Sequence, residues 1–254
     1  MKLLTALRAE MLKTKRTASF YFTIVMAVVI PAILLLNMLT GGEDLTAIRK
    51  DPLNGIFELG AERTGFLFLP MFVILVCTLL PQIEYRNNTW KQVFATPQTK
   101  GHVFLAKLLN VHLLLILFLI ANLIFLSMVV VITHLSIPSL QLLQQPLNTA
   151  TLLVHTANMY LVMLALCSLQ FWLGLRFRNF IIPISVGLVL WILGMILVFE
   201  ESHLVDYYPY SFQVFPTVAQ LQPKLAQVAW TSAGYAALFL LLGFLDFRRR
   251  RLAP

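Results

Sequence analysis

The sequence predicts an all-α integral membrane protein with six transmembrane helices, and three observations predict it. Its 254 residues are 59% hydrophobic and only 12% charged, against roughly a quarter charged in a soluble domain. Six apolar runs approach the ~20 residues that a helix needs to cross about 30 Å of hydrocarbon. The cations between those runs are also sorted unevenly, as the positive-inside rule asks.

The runs are Phe20–Leu39, Phe66–Leu80, Leu108–Thr133, Thr151–Leu173, Phe180–Phe199 and Ala229–Leu245. The second and sixth are short and should extend into their flanks. The first is expected to stay in the membrane, because it exceeds a signal peptide's apolar region and no small-residue cleavage site follows it. No linker, low-complexity stretch or inverted repeat divides the chain, so residues 1–254 form a single membrane domain.

Lys2, Arg8, Lys13, Lys15 and Arg16 precede the first run. Arg86, Lys91, Lys100 and Lys107 lie between the second and third, Arg176 and Arg178 between the fourth and fifth, and Arg248 to Arg251 after the sixth. The other side carries only Arg49, Lys50, Arg63 and Lys224, together with most of the acids. Both termini are therefore expected in the cytoplasm. The net charge of +8 reads as an orientation signal, not as affinity for nucleic acid.

Residues 1–18 place Leu4, Leu7 and Met11 on one helical face with cations around the rest, the pattern of an amphipathic helix lying in the interface. The outer segment 200–228 concentrates Tyr207, Tyr208, Tyr210, Phe212 and Phe215 among prolines. That composition suits an aromatic belt at the outer interface, or a short re-entrant structure. The segment between the second and third runs, EYRNNTWKQVFATPQTK, is expected to form a short cytoplasmic helix over residues 84–96. Pro81 should end the run before it and Pro97 the helix itself. Glu84 suits the N-terminus of such a helix. With Arg86, Trp90 and Phe94 on one face, the helix has the makeup of a docking element, since aromatic anchors dominate interface energetics; an interfacial helix with Trp90 in the headgroup layer fits the same composition.

The chemistry of enzymes is sparse. No charge falls in the middle of a run, which argues against a proton-driven carrier. Asn37, His112, Asn122, His155, Asn158 and Gln170 are the polar groups within runs. Interhelical hydrogen bonding is the expected role, with Asn122, Asn158 and Gln170 as the alternative candidates for a cargo pathway. Glu200-Glu201 resembles a membrane-protease glutamate pair, yet Val205 stands where that motif needs Arg. Cys77 and Cys167 fall inside runs, and no Cys/His set has metal spacing, so neither a disulfide framework nor a metal site is expected. The phosphate-binding loop Gly-x-x-x-x-Gly-Lys-[Ser/Thr] is absent, as are hydrolase motifs. The chain is expected to be no enzyme and to bind no cofactor itself.

On Glu84, Asn88-Thr89, Val93-Phe94, Pro97-Gln98-Thr99-Lys100 and Lys107, the chain resembles permease subunits of ABC-2 type exporters. The six-span permeases of lantibiotic-immunity and bacitracin-resistance systems are the nearest in span count, orientation and loop sizes. Asn88 stands where those proteins often have Gly, and Lys100 where Arg is common. The lead segment LRAEMLKTKRTASF and the pairs Tyr208-Pro209-Tyr210 and Phe215-Pro216 are also similar to the family's. The resemblance implies a permease in the bacterial cytoplasmic membrane, paired with a second permease chain, identical or related. It also implies two separate ABC ATPase subunits that carry the ATP and Mg and push on the coupling helix 84–96 through Glu84, Arg86, Trp90 and Phe94. The cargo implied is hydrophobic or amphipathic, such as an antimicrobial peptide or drug. A non-transporting scaffold that recruits a cytoplasmic partner through the same helix is the alternative, and an intramembrane enzyme the third.

Overall fold

A computed structural model describes residues 2–15, 17–42, 48, 51–95 and 98–249. Pro97, Arg16, Arg49, Lys50, Arg250 and Arg251 lie outside these residues, and the side chains of Lys2 and Phe94 outside the described side chains.

Among the described residues there is no strand, and six helical segments are long and apolar enough to span a membrane. The helix α1 (Lys2–Thr14) leads into α2 (Ala18–Leu39), the first span. The second span runs from α3 (Pro52–Arg63) through a π-turn, Thr64–Phe68, into α4 (Leu69–Arg86). A six-residue helix, α5 (Trp90–Ala95), then precedes the third span, α6 (Lys100–Ser136). The fourth span is α7 (Thr149–Val162) followed by α8 (Leu164–Arg176); α9 (Ile181–Phe199) and α10 (Leu225–Arg249) are the fifth and sixth.

The second span extends far into its N-terminal flank, and residues 52–65 are helix: Asp51 caps it by accepting from the Asn54 N–H, and Pro52 occupies the first turn, where a missing N–H costs nothing. Pro81 does not end the second span, which continues to Arg86. Proline inside a helix frees the carbonyl four residues back, here that of Cys77, and the fourth span covers it. A Cβ built on Gly174 would come within 3.0 Å of Thr78 Cα and closer still to the Cys77 oxygen. Only glycine lets the two backbones meet there. Gly174→Ala is therefore expected to cost about 1–3 kcal/mol of stability, read as a lowered thermal midpoint of the purified protein in detergent. An unchanged midpoint would remove this contact from the account.

Pro31 in the first span is served by a different device. It frees the Ala27 carbonyl, and Asn122 of α6 supplies the missing donor: its Nδ2 lies 3.1 Å from Ala27 O and 3.3 Å from Thr64 Oγ1 at the start of the π-turn. Asn122 is thus buried and spent on three helices.

The aromatic-proline segment after α9 is not a belt at the surface. Tyr210, Phe212, Val214 and Phe215 are each no more than 1% exposed. Tyr208 donates to the carbonyl of Leu190, midway along α9, over 2.8 Å. Tyr210 donates to Gln170 Oε1 over 3.1 Å, and Gly194 backs directly onto the Tyr210–Ser211 backbone. The segment folds back into the bundle because its rings bury more apolar area there than at an interface. Apart from the exposed Tyr207, these rings pack against the bundle instead of lining its surface.

Candidate functional site

The site forms at the end of the bundle that gathers α1, α5, the end of α4 and the start of α6. Helix α4 closes with a Schellman motif: the Asn88 N–H reaches Tyr85 O and the Thr89 N–H reaches Glu84 O. Asn88 occupies the left-handed position of that motif, at φ 52°. This is the conformation that glycine adopts freely and asparagine tolerates, so Asn serves where Gly would. The expected single helix over 84–96 is therefore two pieces, the last turn of α4 and a separate α5, with a reversal between them.

Glu84 consequently sits inside. It is 1% exposed, and its Oε1 accepts from Lys107 Nζ at 2.7 Å and Lys13 Nζ at 2.9 Å. The same two ammonium groups reach Glu10, Lys107 to Oε2 at 2.8 Å and Lys13 to Oε1 at 2.7 Å. Two carboxylates and two ammoniums thus close a ring that joins α1, α4 and α6. Lys107 is itself 2% exposed, and such charges are tolerated only when fully paired. Beside the ring, Asn110 Nδ2 donates to Thr14 Oγ1 over 2.7 Å, a second tie between α1 and α6.

Trp90 also turns inward rather than toward solvent. Its ring lies 5.4 Å from Lys107 Nζ, a cation–π contact. It packs 5.3 Å from the Tyr85 ring and 5.8 Å from that of Phe247 on the sixth span. The short helix therefore bears on three elements, α4, α6 and α10, through one side chain. Arg86, Lys91 and Gln92 are exposed around it, as are Asn87, Asn88 and Ala95. A cavity of about 370 Å³ opens between α1, α4, α5 and α6, with Glu10, Lys13, Glu84, Gln92 and Val93 in its wall.

The ring's outer members titrate away from their ordinary values. Burial pushes the Glu10 carboxyl up, but Lys107 and Lys13 together outweigh it and hold it below the usual glutamate value. Burial likewise pushes Lys13 down, and Glu10 and Glu84 overcome it to raise the ammonium. Glu10's contribution is complete above its unfolded value of about 4.3 and is lost as pH falls through the lower folded value. Lys13's is complete below about 10.4 and is lost as pH rises through the higher folded value. The contributions of Glu10 and Lys13 should thus be constant between about pH 5 and 10. Glu10→Gln is expected to flatten the acid limb of a midpoint-versus-pH curve; an unaltered limb would show that Glu10 does not carry it.

The remaining polar candidates do not converge on this site. Gln170 is fully buried and saturated: Nε2 donates to Pro183 O at 2.7 Å and Thr78 Oγ1 at 3.2 Å, while Oε1 accepts from Tyr210. Asn158 is half-buried on α7. His112 Nδ1 lies 3.1 Å from the Tyr160 hydroxyl. Glu200 and Glu201 are exposed, and Glu201, at φ 48°, stands at the left-handed end of α9 as a cap residue. Cys77 and Cys167 are free, buried thiols. Among the described residues no three His, Cys, Asp or Glu side chains gather to hold a metal.

Sequence reasoning missed Glu10 and Lys13. The signal was a lone acid among the lead segment's cations, on the Ala6, Glu10, Thr14 face at four-residue spacing, with Lys107 heading an apolar helix.

Residues 6–194 match the family described as ABC-2 family transporter protein. No curated protein matches the chain.

Proposed function

The chain belongs to the ABC-2 family of transporter proteins, and from that premise we propose that it is the permease subunit of an ATP-driven exporter. It is a multi-pass membrane protein. The charge asymmetry of its ends orients both termini, α1 and α5 toward the cytoplasm, in a bacterial cytoplasmic membrane. Two such permease chains, identical or related, pair and engage two ATPase subunits, which hold the ATP and Mg. The cargo is hydrophobic or amphipathic, and an antimicrobial peptide or drug is the kind that fits.

The observation that carries this reading is how α5 is fastened. A push on α5 from below is delivered by Trp90 to Lys107 and Phe247. The ring passes it from Lys107 to Glu84 on the second span and Glu10 on α1. A rigid, charge-paired node is suited to moving helix ends together, because a packed interface switches between discrete arrangements rather than yielding gradually. Contact with the ATPase then falls to exposed Arg86, Lys91 and Gln92, with Phe94 on the same short helix, while Glu84 and Trp90 transmit.

A photo-crosslinking residue placed at Lys91 or Gln92 should, in cells, capture an ATP-binding protein. The same group at Leu204, exposed at the opposite end of the bundle, should capture none. Adducts from positions 91 and 92 that contain no nucleotide-binding protein would refute the docking surface.

A further inference from the structure

We propose that the groove between α1 and α6 is a binding site for an anionic phospholipid of the leaflet on the basic side of the membrane. Helix α1 divides its side chains sharply. Ala6, Glu10 and Thr14 face α6 and are buried, whereas Arg8, Met11, Leu12 and Lys15 form the opposite, exposed row. That row and the flank of α6 enclose a groove of about 700 Å³, floored by Phe20, Leu113, Leu114 and Leu117. Its volume is that of a site for a drug-sized ligand, roughly 300–1,000 Å³.

Charge complementarity names the occupant. Arg8 and Lys15 are the charged residues of the wall, and no carboxylate is among its lining residues. Neither cation is paired within the described residues, in contrast to Lys13, which is spent on Glu10 and Glu84. Lys15 follows directly on α1, its N–H bonded to Met11 O, so it stands about 10 Å from Arg8 along the helix axis, and the two bracket the groove's mouth. A guanidinium forks onto a phosphate while an ammonium meets it as a point charge. The apolar floor continues down the exposed face of α6, where Leu109, Leu113, Ile116 and Ile120 are each 39–51% exposed. An acyl chain can follow that face with its headgroup held between the two cations. Exposed Leu4, Met11 and Leu12 set α1 at the depth where headgroups lie. The lipid would hold α1 against α6 from the face opposite the ion ring.

The test uses the purified full chain, stripped of lipid in detergent, with native mass spectrometry counting what rebinds. Phosphatidylglycerol should bind one per chain at a concentration at least tenfold below that needed for phosphatidylcholine with the same acyl chains. It should also raise the thermal midpoint. Arg8→Gln with Lys15→Gln should bring the two lipids level. Leu113→Trp, which fills the groove without touching charge, should weaken phosphatidylglycerol binding tenfold and keeps the question open to an answer if the double variant misfolds. Equal binding of both lipids by the unaltered chain, or undiminished phosphatidylglycerol binding in both variants, would overturn the proposal. So would inorganic phosphate raising the midpoint as much as the lipid, or a second copy of the chain crosslinked through Leu113.

Discussion

Lys107→Met is expected to cost about 3–5 kcal/mol of stability, the loss that follows when one partner leaves a buried ion network. Two carboxylates, Glu84 at 1% and Glu10 at 9% exposure, would then share the single ammonium of Lys13. Methionine preserves length and apolar packing, so the loss reports charge rather than a cavity. The companion Lys107→Met, Glu84→Gln restores neutrality and leaves the Lys13–Glu10 pair, and it should recover most of that loss. A double-mutant cycle on thermal or denaturant midpoints measures the coupling. If the double variant is as unstable as the sum of the singles, the ring is four residues in proximity and not a unit. In transport the order should differ: both variants lose the link from Trp90 through Lys107, so recovery of stability should not bring recovery of activity.

Tyr210→Ala should cost about 3–5 kcal/mol, since it empties a fully buried aromatic site and strips Gln170 Oε1 of a donor. Tyr210→Phe keeps the ring and loses only the hydroxyl, for which about 1 kcal/mol is expected. The ratio of the two separates packing from hydrogen bonding. Because Gln170 also ties Thr78 and Pro183, Tyr210→Ala should loosen the second, fourth and fifth spans where they meet the aromatic-proline segment. Amide exchange measured by mass spectrometry would then rise in residues 202–221 and in the first turns of α9. Exchange unchanged in both places would show that the segment is held by something other than Tyr210.

The spans were legible because hydrocarbon imposes one rule, a continuous apolar helix, and Phe180–Phe199 shows it: the observed helix differs by a single residue. Where helix formation depended on partners, the sequence was silent. Pro81 reads as a helix end, yet Gly174, which covers the carbonyl it frees, lies 93 residues further along the chain, and only the folded pairing shows why the helix survives. Asn122 and Pro31 are likewise 91 residues apart. Glu84 and Trp90 were picked as functional residues on composition, but which way they point depends on Asn88, whose left-handed φ turns α5 back beneath the bundle. The residue types were readable; their partners were not.

Whether this permease borrows ATP energy through α5 is decided by purifying the tagged chain from its native membranes in mild detergent. Mass spectrometry would identify whatever stays bound. An ABC ATPase is expected, in one-to-one ratio with permease chains, that is lost when Lys91 and Gln92 are both replaced by Glu while the protein remains monodisperse. Recovery of the chain alone, or with partners that bind no nucleotide, would contradict the exporter reading and leave a membrane scaffold in its place.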